Sequence, residues 1–391
     1  MNKREIVRLN PPSNIGIIGG GQLGRMLTVE AKRMGYNVII LDPKPNSPAA
    51  QVADKQITAE FTDINALRKL AEKTDVLTYE FEHIDVGLLN EIESKGYKIY
   101  PSSKTLKVIQ NKYVQKSILK EAGIKVPAFY LVNSLEELRN IFYNLGEKII
   151  LKTCKGGYDG KGNIVVKNIK KLEDAYKEFS DKELMVEEFI NYTKEVSIIV
   201  AKNHEDITFY PIAENNHKDS ILINSIIPAK ISKDTEEKII EVAKKVVETL
   251  DDFGVFCIEF FIDTDLDVLV NEIAPRPHNS GHYSIEGCTT SQYEQLIRIV
   301  TGMPLGSTKL RLPCVMYNIL GSDEVQGKYC INGVEEILDM EDCYFHLYGK
   351  EETSYLKKIG HITALADCVE MAERKAKKVM DSLVIKSLEV S

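Results

Sequence analysis

The chain has 391 residues, enough for two or three domains at roughly 150 residues each. A hydrophobic share of 43% and a charged share of 28% exclude wholesale disorder, a collagen and a disulfide-stapled miniprotein. With 58 acidic against 50 basic residues the formal charge is -8, which argues against a nucleic-acid polymer as partner but leaves room for a small anion in a local basic pocket. The seven cysteines form no C-x-x-C pair, so a reduced, cytoplasmic protein without a zinc ribbon or disulfide framework is expected. Residues 1–14 are polar and carry Lys3, Arg4 and Arg8, so no signal peptide is expected there. No stretch approaches the ~20 apolar residues of a membrane span, and no membrane partner is expected.

From the N-terminus, strand and helix alternate. Residues 15–18 read as a short buried strand, 22–34 as a helix ended by Gly35, and 37–41 as the next strand, closed by Asp42-Pro43. Residues 76–79 and 98–100 read as further strands, and the alternation predicts a parallel sheet with helices on both faces. The texture changes near Pro101. A helix is predicted over 106–121, then strands at 149–152 and 164–166 joined by a glycine-rich turn. Residues 236–250 repeat Ile239, Val242, Ala243, Val246, Val247 and Leu250 at helical spacing. Strands 255–262 and 268–273 are predicted to form a hairpin turning near Asp265 and Leu266. Residues 301–306 read as a linker, followed by strands at 315–320, 344–348 and 359–364 and a closing helix.

Gly19-x-Gly21-x-x-Gly24 follows a strand, opens a helix and has Asp42 about 20 residues on, the pattern of a dinucleotide fingerprint. The same glycines serve any phosphate approaching a helix N-terminus, and also plain tight packing. The second glycine-rich segment is more specific. Lys152 sits in an apolar strand directly before Thr153-Cys154-Lys155-Gly156-Gly157-Tyr158-Asp159-Gly160-Lys161-Gly162-Asn163. Ordering so many glycines is costly, and a loop of this kind gains from closing its N–H groups and lysines over phosphates. The alternative is a solvated hairpin tip. A lysine among apolar strand residues, however, requires an anionic partner.

Glu259 interrupts the apolar run 255–262, and the predicted hairpin places it opposite Glu272. Two carboxylates on one buried face repel and raise a pKa unless a cation lies between them. Magnesium with nucleotide phosphates fits, and the alternative is a solvent-facing pair at a sheet edge. Glu187-Glu188-Phe189-Ile190 reads as a hinge between two regions, with Glu195 in the apolar strand beyond it. Residues 271–282 crowd Arg276, His278, Asn279, Ser280 and His282 among turn residues, and loops of this composition carry function. His278 and His282 have helical metal spacing, but Pro275, Pro277 and Gly281 argue against a helix and hence against zinc. His83, His204 and His346 are read as ordinary.

Four stretches in this order carry a family resemblance: Gly19-Gly20-Gly21-Gln22-Leu23-Gly24-Arg25-Met26, Tyr79-Glu80-Phe81-Glu82, Gly156 to Gly162, and Asn271 to His282. The chain resembles the ATP-grasp ligases, and more narrowly the ATP-dependent 5-(carboxyamino)imidazole ribonucleotide synthases of purine biosynthesis. The resemblance implies an α/β ATP-grasp fold: a Rossmann-like domain over 1–106, an ATP-grasp domain of two subdomains over 107–306, and a small β-rich C-terminal domain over 307–391. It implies ATP and Mg2+ as cofactors, 5-aminoimidazole ribonucleotide and bicarbonate as substrates, and a homodimer. It assigns Lys112 and Lys152 to the ATP phosphates, with Gly157, Tyr158, Asp159, Gly160, Lys161, Gly162 and Asn163 closing over them. The adenine would lie on Glu187, Glu188, Phe189 and Ile190, and the ribose on Glu195, with His217 and Asn271 near the nucleotide. Glu259 and Glu272 would carry magnesium. The ribonucleotide would contact Gly21, Gln22, Leu23, Glu80, Tyr158, Asp159, Arg276, His278, Asn279, Ser280, Lys350 and Lys357.

The family's reaction, so implied, is phosphorylation of bicarbonate to carboxyphosphate, release of CO2 in a closed site, and its capture by the exocyclic amine of the ribonucleotide. Lys152, Asp159 and Arg276 are the catalytic candidates. Lys112 and Lys357 stand where the family often has arginine, which keeps the charge and loses the bidentate fork. Three other readings stand beside this one, the first a non-catalytic nucleotide-binding or regulatory subunit, against which the retained Glu259, Glu272 and Lys152 argue. An NAD-dependent oxidoreductase would explain the first glycine motif and Asp42 but neither the second loop nor the carboxylates. Another ATP-grasp carboxylate–amine ligase would share the nucleotide site and differ at residues 79–82 and 275–282.

Overall fold

The computed structural model describes residues 8–146, 148–157, 162–179 and 181–388. Near the N-terminus, strands Asn14–Ile18, Asn37–Asp42, Lys55–Thr58 and Val76–Tyr79 form one parallel sheet, with Asn14–Ile18 between Asn37–Asp42 and Val76–Tyr79. The apolar runs of Asn14–Ile18, Asn37–Asp42 and Val76–Tyr79 are buried on both faces, as a parallel sheet requires, and Lys55–Thr58 is a polar edge strand. Helix Gln22–Arg33 starts where the glycine motif ends, and Leu23, Met26, Leu27 and Ala31 face the core. The predicted strand at 98–100 is reduced to a single bridge between Ile99 and Leu77. The chain turns away at Pro101, which has no N–H to offer a ladder.

The helix predicted over 106–121 is two helices, Ser103–Gln110 and Lys112–Glu121. Asn111 breaks it. Its backbone is extended and its side chain accepts from the Val114 N–H, so it caps the second helix. A helix-period pattern does not reveal such a break when both halves bury the same stripe. The break also directs the start of the second helix, with Lys112, toward the hairpin of residues 254–274, as described below.

Two antiparallel sheets follow. The smaller runs Phe129–Val132, Leu184–Glu188, Ile149–Thr153, Asn163–Val166. The larger begins with the predicted hairpin, Val268–Ala274 and Gly254–Asp263, and continues through Tyr192–Lys202, Ala213–Lys218 and Ile221–Ile227. Residues 189–191 connect the two sheets, so the Glu187 to Ile190 segment lies where the sequence suggested a hinge. Helix Lys233–Leu250 buries the predicted stripe of Ile239, Ala243, Val246, Val247 and Leu250 against the large sheet.

The C-terminal strands Cys314–Leu320, Lys358–Leu365 and Cys343–Leu347 extend that large sheet, Cys314–Leu320 pairing with Ile221–Ile227. The stretch 301–306 is irregular but pinned, because the Gln295 side chain bonds both the N–H and the carbonyl of Gly306. Among the described residues no helix is long and apolar enough to cross a membrane.

Candidate active site

The hairpin carries a one-residue bulge that sets the chemistry. Phe260 pairs with Val270, but Glu259 pairs with Glu272, so Asn271 is squeezed out of the ladder. Uninterrupted pairing would set Glu259 against Asn271. The bulge instead makes the two carboxylates cross-strand neighbours on one face. It is held from outside: Gln115 accepts from the Ile273 N–H at 3.1 Å, and the Lys116 ammonium donates to the Asn271 carbonyl at 2.9 Å.

The two acids differ in environment. Glu272 is nearly half exposed to the cavity; the protein around it disfavours the charged form, but the Lys112 ammonium pairs with it and holds it below the usual carboxylate range. Among the described residues Glu259 has no ammonium or guanidinium in an ion pair with it, and His278 Nε2 lies 3.7 Å away. Burial, then the like charges of Glu195 and Glu272, push it up to about 7, with His217 partly opposing them. A buried carboxylate in this state would suit a cation beside it, and oxygen donors suit magnesium. The Cys257, Glu259 and His278 ligand atoms also lie within 4.8 Å of one another, a softer set that shares Glu259. Because its folded pKa is raised, Glu259 stabilises most below its unfolded value and loses that contribution as pH rises through about 7. Denaturant titrations of metal-free protein between pH 4.5 and 8 are expected to show a loss on the order of 2 kcal/mol, absent in Glu259→Gln. Equal slopes for the two proteins would remove Glu259 as the strained acid.

Lys152 finds its anionic partner inside the protein. Its ammonium lies 2.6 Å from Glu187, whose other oxygen is 3.2 Å from the Lys116 ammonium. Glu187 is 1% exposed and Lys116 2%. Burial brings Lys116 down to about 8 while Glu187 works to keep it charged. Glu187 itself stays below its ordinary range because two ammonium groups outweigh its burial.

On the far side of the cavity, the first glycine motif is engaged by protein carboxylates. Glu80, at the end of strand Val76–Tyr79, accepts from the N–H groups of Gly21 and Gly24, at the start of helix Gln22–Arg33. A Cβ on Gly21 would lie 2.6 Å from a Glu80 oxygen, so this approach requires glycine. Asp42 accepts from the Gly20 N–H at 2.7 Å and the Lys44 N–H at 2.8 Å. The fingerprint acid is therefore tied into its own loop, which removes the feature that suggested NAD.

Arg276 forms a fork with Glu82, at 2.5 and 2.9 Å. Burial works against ionisation of Glu82, yet Arg276 brings it down to about 2. His278 Nδ1 lies 2.9 Å from the Ser280 hydroxyl. Burial, Arg276 and Lys358 bring the imidazole down to about 3, so it is neutral at pH 7. Asn279 exchanges two 2.9 Å hydrogen bonds with Asn318. Ser280 is buried against Ser197.

One cavity of about 460 Å³ brings part of this set together, with Lys152, Lys116 and Glu187 outside its wall. Its wall includes Gln22, Leu23, Glu80, Lys112, Gly157, Asn163, His217, Glu259, Glu272, Arg276, His278 and Asn279. A smaller cavity of about 210 Å³ adjoins it at His217 and includes Glu195, whose carboxylate is 3.1 Å from His217. Against its burial, this contact raises the His217 pKa. Glu188 is exposed, and Phe189 and Ile190 are half-buried beside it, with the Lys148 ammonium 3.1 Å from the Phe189 ring centre. Gly156, Gly157 and Gly162 all have positive φ, which explains the glycines at the ends of the loop. Tyr158, Asp159, Gly160 and Lys161 lie outside the described residues.

Lys350 and Lys357 are not in the cavity wall, whereas Lys358 is. Lys350 donates to the Lys358 carbonyl at 2.7 Å and so braces that backbone. Sequence reasoning passed over Lys116, Glu82, Asn318 and Lys358. Glu82 stood within the quoted Tyr79 to Glu82 stretch, and the Lys116 position, one turn from Lys112, was a usable signal. His346 is not an ordinary histidine: it stacks on His361 at 4.4 Å and bonds Glu286 at 2.7 Å, because Lys358–Leu365 and Cys343–Leu347 pair side by side.

Known proteins share this order of domains and this fold. Family models match residues 13–110 as a ribonucleotide synthetase preATP-grasp domain, 117–293 as an ATP-grasp domain and 314–375 as a phosphoribosylaminoimidazole carboxylase C-terminal domain. The N5-carboxyaminoimidazole ribonucleotide synthase of Bacillus subtilis (strain 168) is 42% identical over 354 residues, covering 90% of this chain and 91% of the relative. The solved synthetase from Thermotoga maritima is 46% identical at a TM-score of 0.88, covering 96% of this chain and 100% of that one. The Aspergillus clavatus synthase, solved with ADP and 5-aminoimidazole ribonucleotide, is 33% identical at a TM-score of 0.87, covering 95% and 98%. The chain belongs to the N5-carboxyaminoimidazole ribonucleotide synthase family of ATP-grasp enzymes.

Proposed function

We propose that this protein is an ATP- and bicarbonate-dependent carbon–nitrogen ligase. It carboxylates the exocyclic amine of 5-aminoimidazole ribonucleotide, forming ADP and phosphate, in purine biosynthesis. The observation that carries this reading is the shared cavity. Its wall joins the Glu259, Glu272 and Lys112 cluster to Glu80, Arg276, His278 and Asn279, so two phosphorylated ligands can meet there.

In this reading Lys112 and Lys152 neutralise the ATP phosphates, and the segment from Glu187 to Ile190 with Glu195 and His217 holds the nucleoside. Glu259 and Glu272, with Asn271 beside them, hold magnesium, which neutralises charge on the transferring phosphoryl group when bound. Carboxyphosphate hydrolyses readily, and closure of the loop from Gly157 to Asn163 excludes water. Arg276 is held by Glu82 with its guanidinium fixed at the cavity wall, and neutral His278 offers Nε2 without adding charge. Gly21, Gln22, Leu23, Glu80 and Ser280 complete the ribonucleotide side, with Asp159 and Tyr158 from the loop and Lys350 and Lys357 from the C-terminal region. The proposed domain division, 1–106, 107–306 and 307–391, is supported by the order of the three family matches. A cytoplasmic homodimer is part of the same proposal.

The test is phosphate release with ATP, magnesium and bicarbonate, with and without 5-aminoimidazole ribonucleotide. Strict dependence on the ribonucleotide is expected, and no stimulation by it would overturn the substrate. Lys350→Ala is expected to raise the apparent KM for the ribonucleotide on the order of tenfold, with the KM for ATP little changed. Equal effects on both would take Lys350 off the ribonucleotide side.

A further inference from the structure

In the structure Lys152 is committed to Glu187 at 2.6 Å. The proposed function requires the same ammonium to reach a nucleotide phosphate. Moving it away would strand a fully buried carboxylate, a state that proteins avoid. The structure supplies a second cation at that carboxylate. The Lys116 ammonium lies 3.2 Å from the other Glu187 oxygen, and its 2.9 Å bond to the Asn271 carbonyl fixes it from the opposite side.

We propose that Lys116 is a positioning residue, the resident counter-ion of Glu187, which frees Lys152 to leave for the nucleotide phosphates. Three features support this. Lys116 projects from helix Lys112–Glu121 one turn after Lys112, so it cannot drift from the site. It is 2% exposed, so solvent does not compete for its ammonium. Its second anchor is the Asn271 carbonyl at the hairpin bulge, so one cation ties the strand that carries Glu272 to the strand that carries Glu187. Lys152, by contrast, extends from strand Ile149–Thr153, which runs into the glycine loop.

This inference rests on the assignment of Lys152 to ATP. Lys116→Met leaves Glu187 with Lys152 alone and binds that lysine more tightly. The expected result is a rise in the KM for ATP on the order of tenfold or more, with the ribonucleotide KM little changed. Adding Glu187→Gln removes the carboxylate, and the double variant is expected to recover the ATP KM of Glu187→Gln alone. A merely structural lysine would lower stability without a selective rise in the KM for ATP. An unchanged ATP KM in Lys116→Met, with Lys152→Met impaired, overturns the role of Lys116 and leaves the proposed function standing. An unchanged ATP KM in Lys152→Met overturns the assignment of Lys152 itself. If Lys116→Met does not fold, the double variant is compared with Glu187→Gln. Equal ATP KM values then support the proposal, and a further rise overturns it.

Discussion

Glu272→Ala is expected to reduce ribonucleotide-dependent ADP release by roughly a thousandfold while the protein stays folded, the scale seen when a charge-stabilising group is removed from a transition state. Two losses combine. One of the two carboxylates proposed to hold magnesium disappears, and Lys112 loses its direct partner. The fold should survive because the Glu272 side chain is nearly half exposed to the cavity, and the hairpin ladder is made by backbone groups. Glu187 and Glu82 still favour the charged form of Lys112. Circular dichroism with steady-state coupling to ADP release checks both halves. Normal turnover in the folded variant would remove Glu272 from the proposed metal site.

Glu82→Ala is expected to be the most destabilising single change at the cavity, by about 3 kcal/mol, because it leaves the Arg276 guanidinium buried without its carboxylate. The acid limb of the pH profile gives an independent check. The folded pKa of Glu82 is lowered, so its contribution is complete above the unfolded carboxylate value and is lost as pH falls through about 2. Denaturation at pH 7 and again below pH 4 should show the wild type converging on the variant. A constant difference across that window would mean that the ion pair is not the source of the stability.

Much of the proposed site was legible in the sequence because its groups lie close together along the chain. The hairpin from Val255 to Ile273, the loop after Lys152 and the polar run from Asn271 to His282 each announce themselves by a charged residue in an apolar strand or by clustered turn residues. Lys152 was correctly read as needing an anion, since a buried ammonium has no other way to be stable. Which anion it meets without ligand was not legible. Glu187 lies 35 residues away, and only the pairing of Ile149–Thr153 with Leu184–Glu188 brings them together.

The Glu259–Glu272 facing shows the same division. A turn centred between Asp265 and Leu266 places the two residues opposite each other. The strands near the turn instead pair with Ile262 against Val268, and the bulge at Asn271 restores the facing. The arithmetic therefore reached the right pair through a register that the strands do not keep. The bulge is held by Gln115 and Lys116 on a helix more than 150 residues earlier, so no local pattern encodes it.

By itself the sequence determined the order of strands and helices, the glycines where backbone must turn or approach closely, and the charged residues that an apolar interior cannot leave alone. Those follow from local propensity and from the free energy of burying charge. The tertiary structure alone decided the counter-ions: Glu187 between Lys116 and Lys152, Glu82 on Arg276, Glu80 on the glycine motif and Asp42 on Gly20. Partner choice among charges depends on distances of a few ångströms between segments distant in sequence, and only sheet pairing and helix packing set those distances.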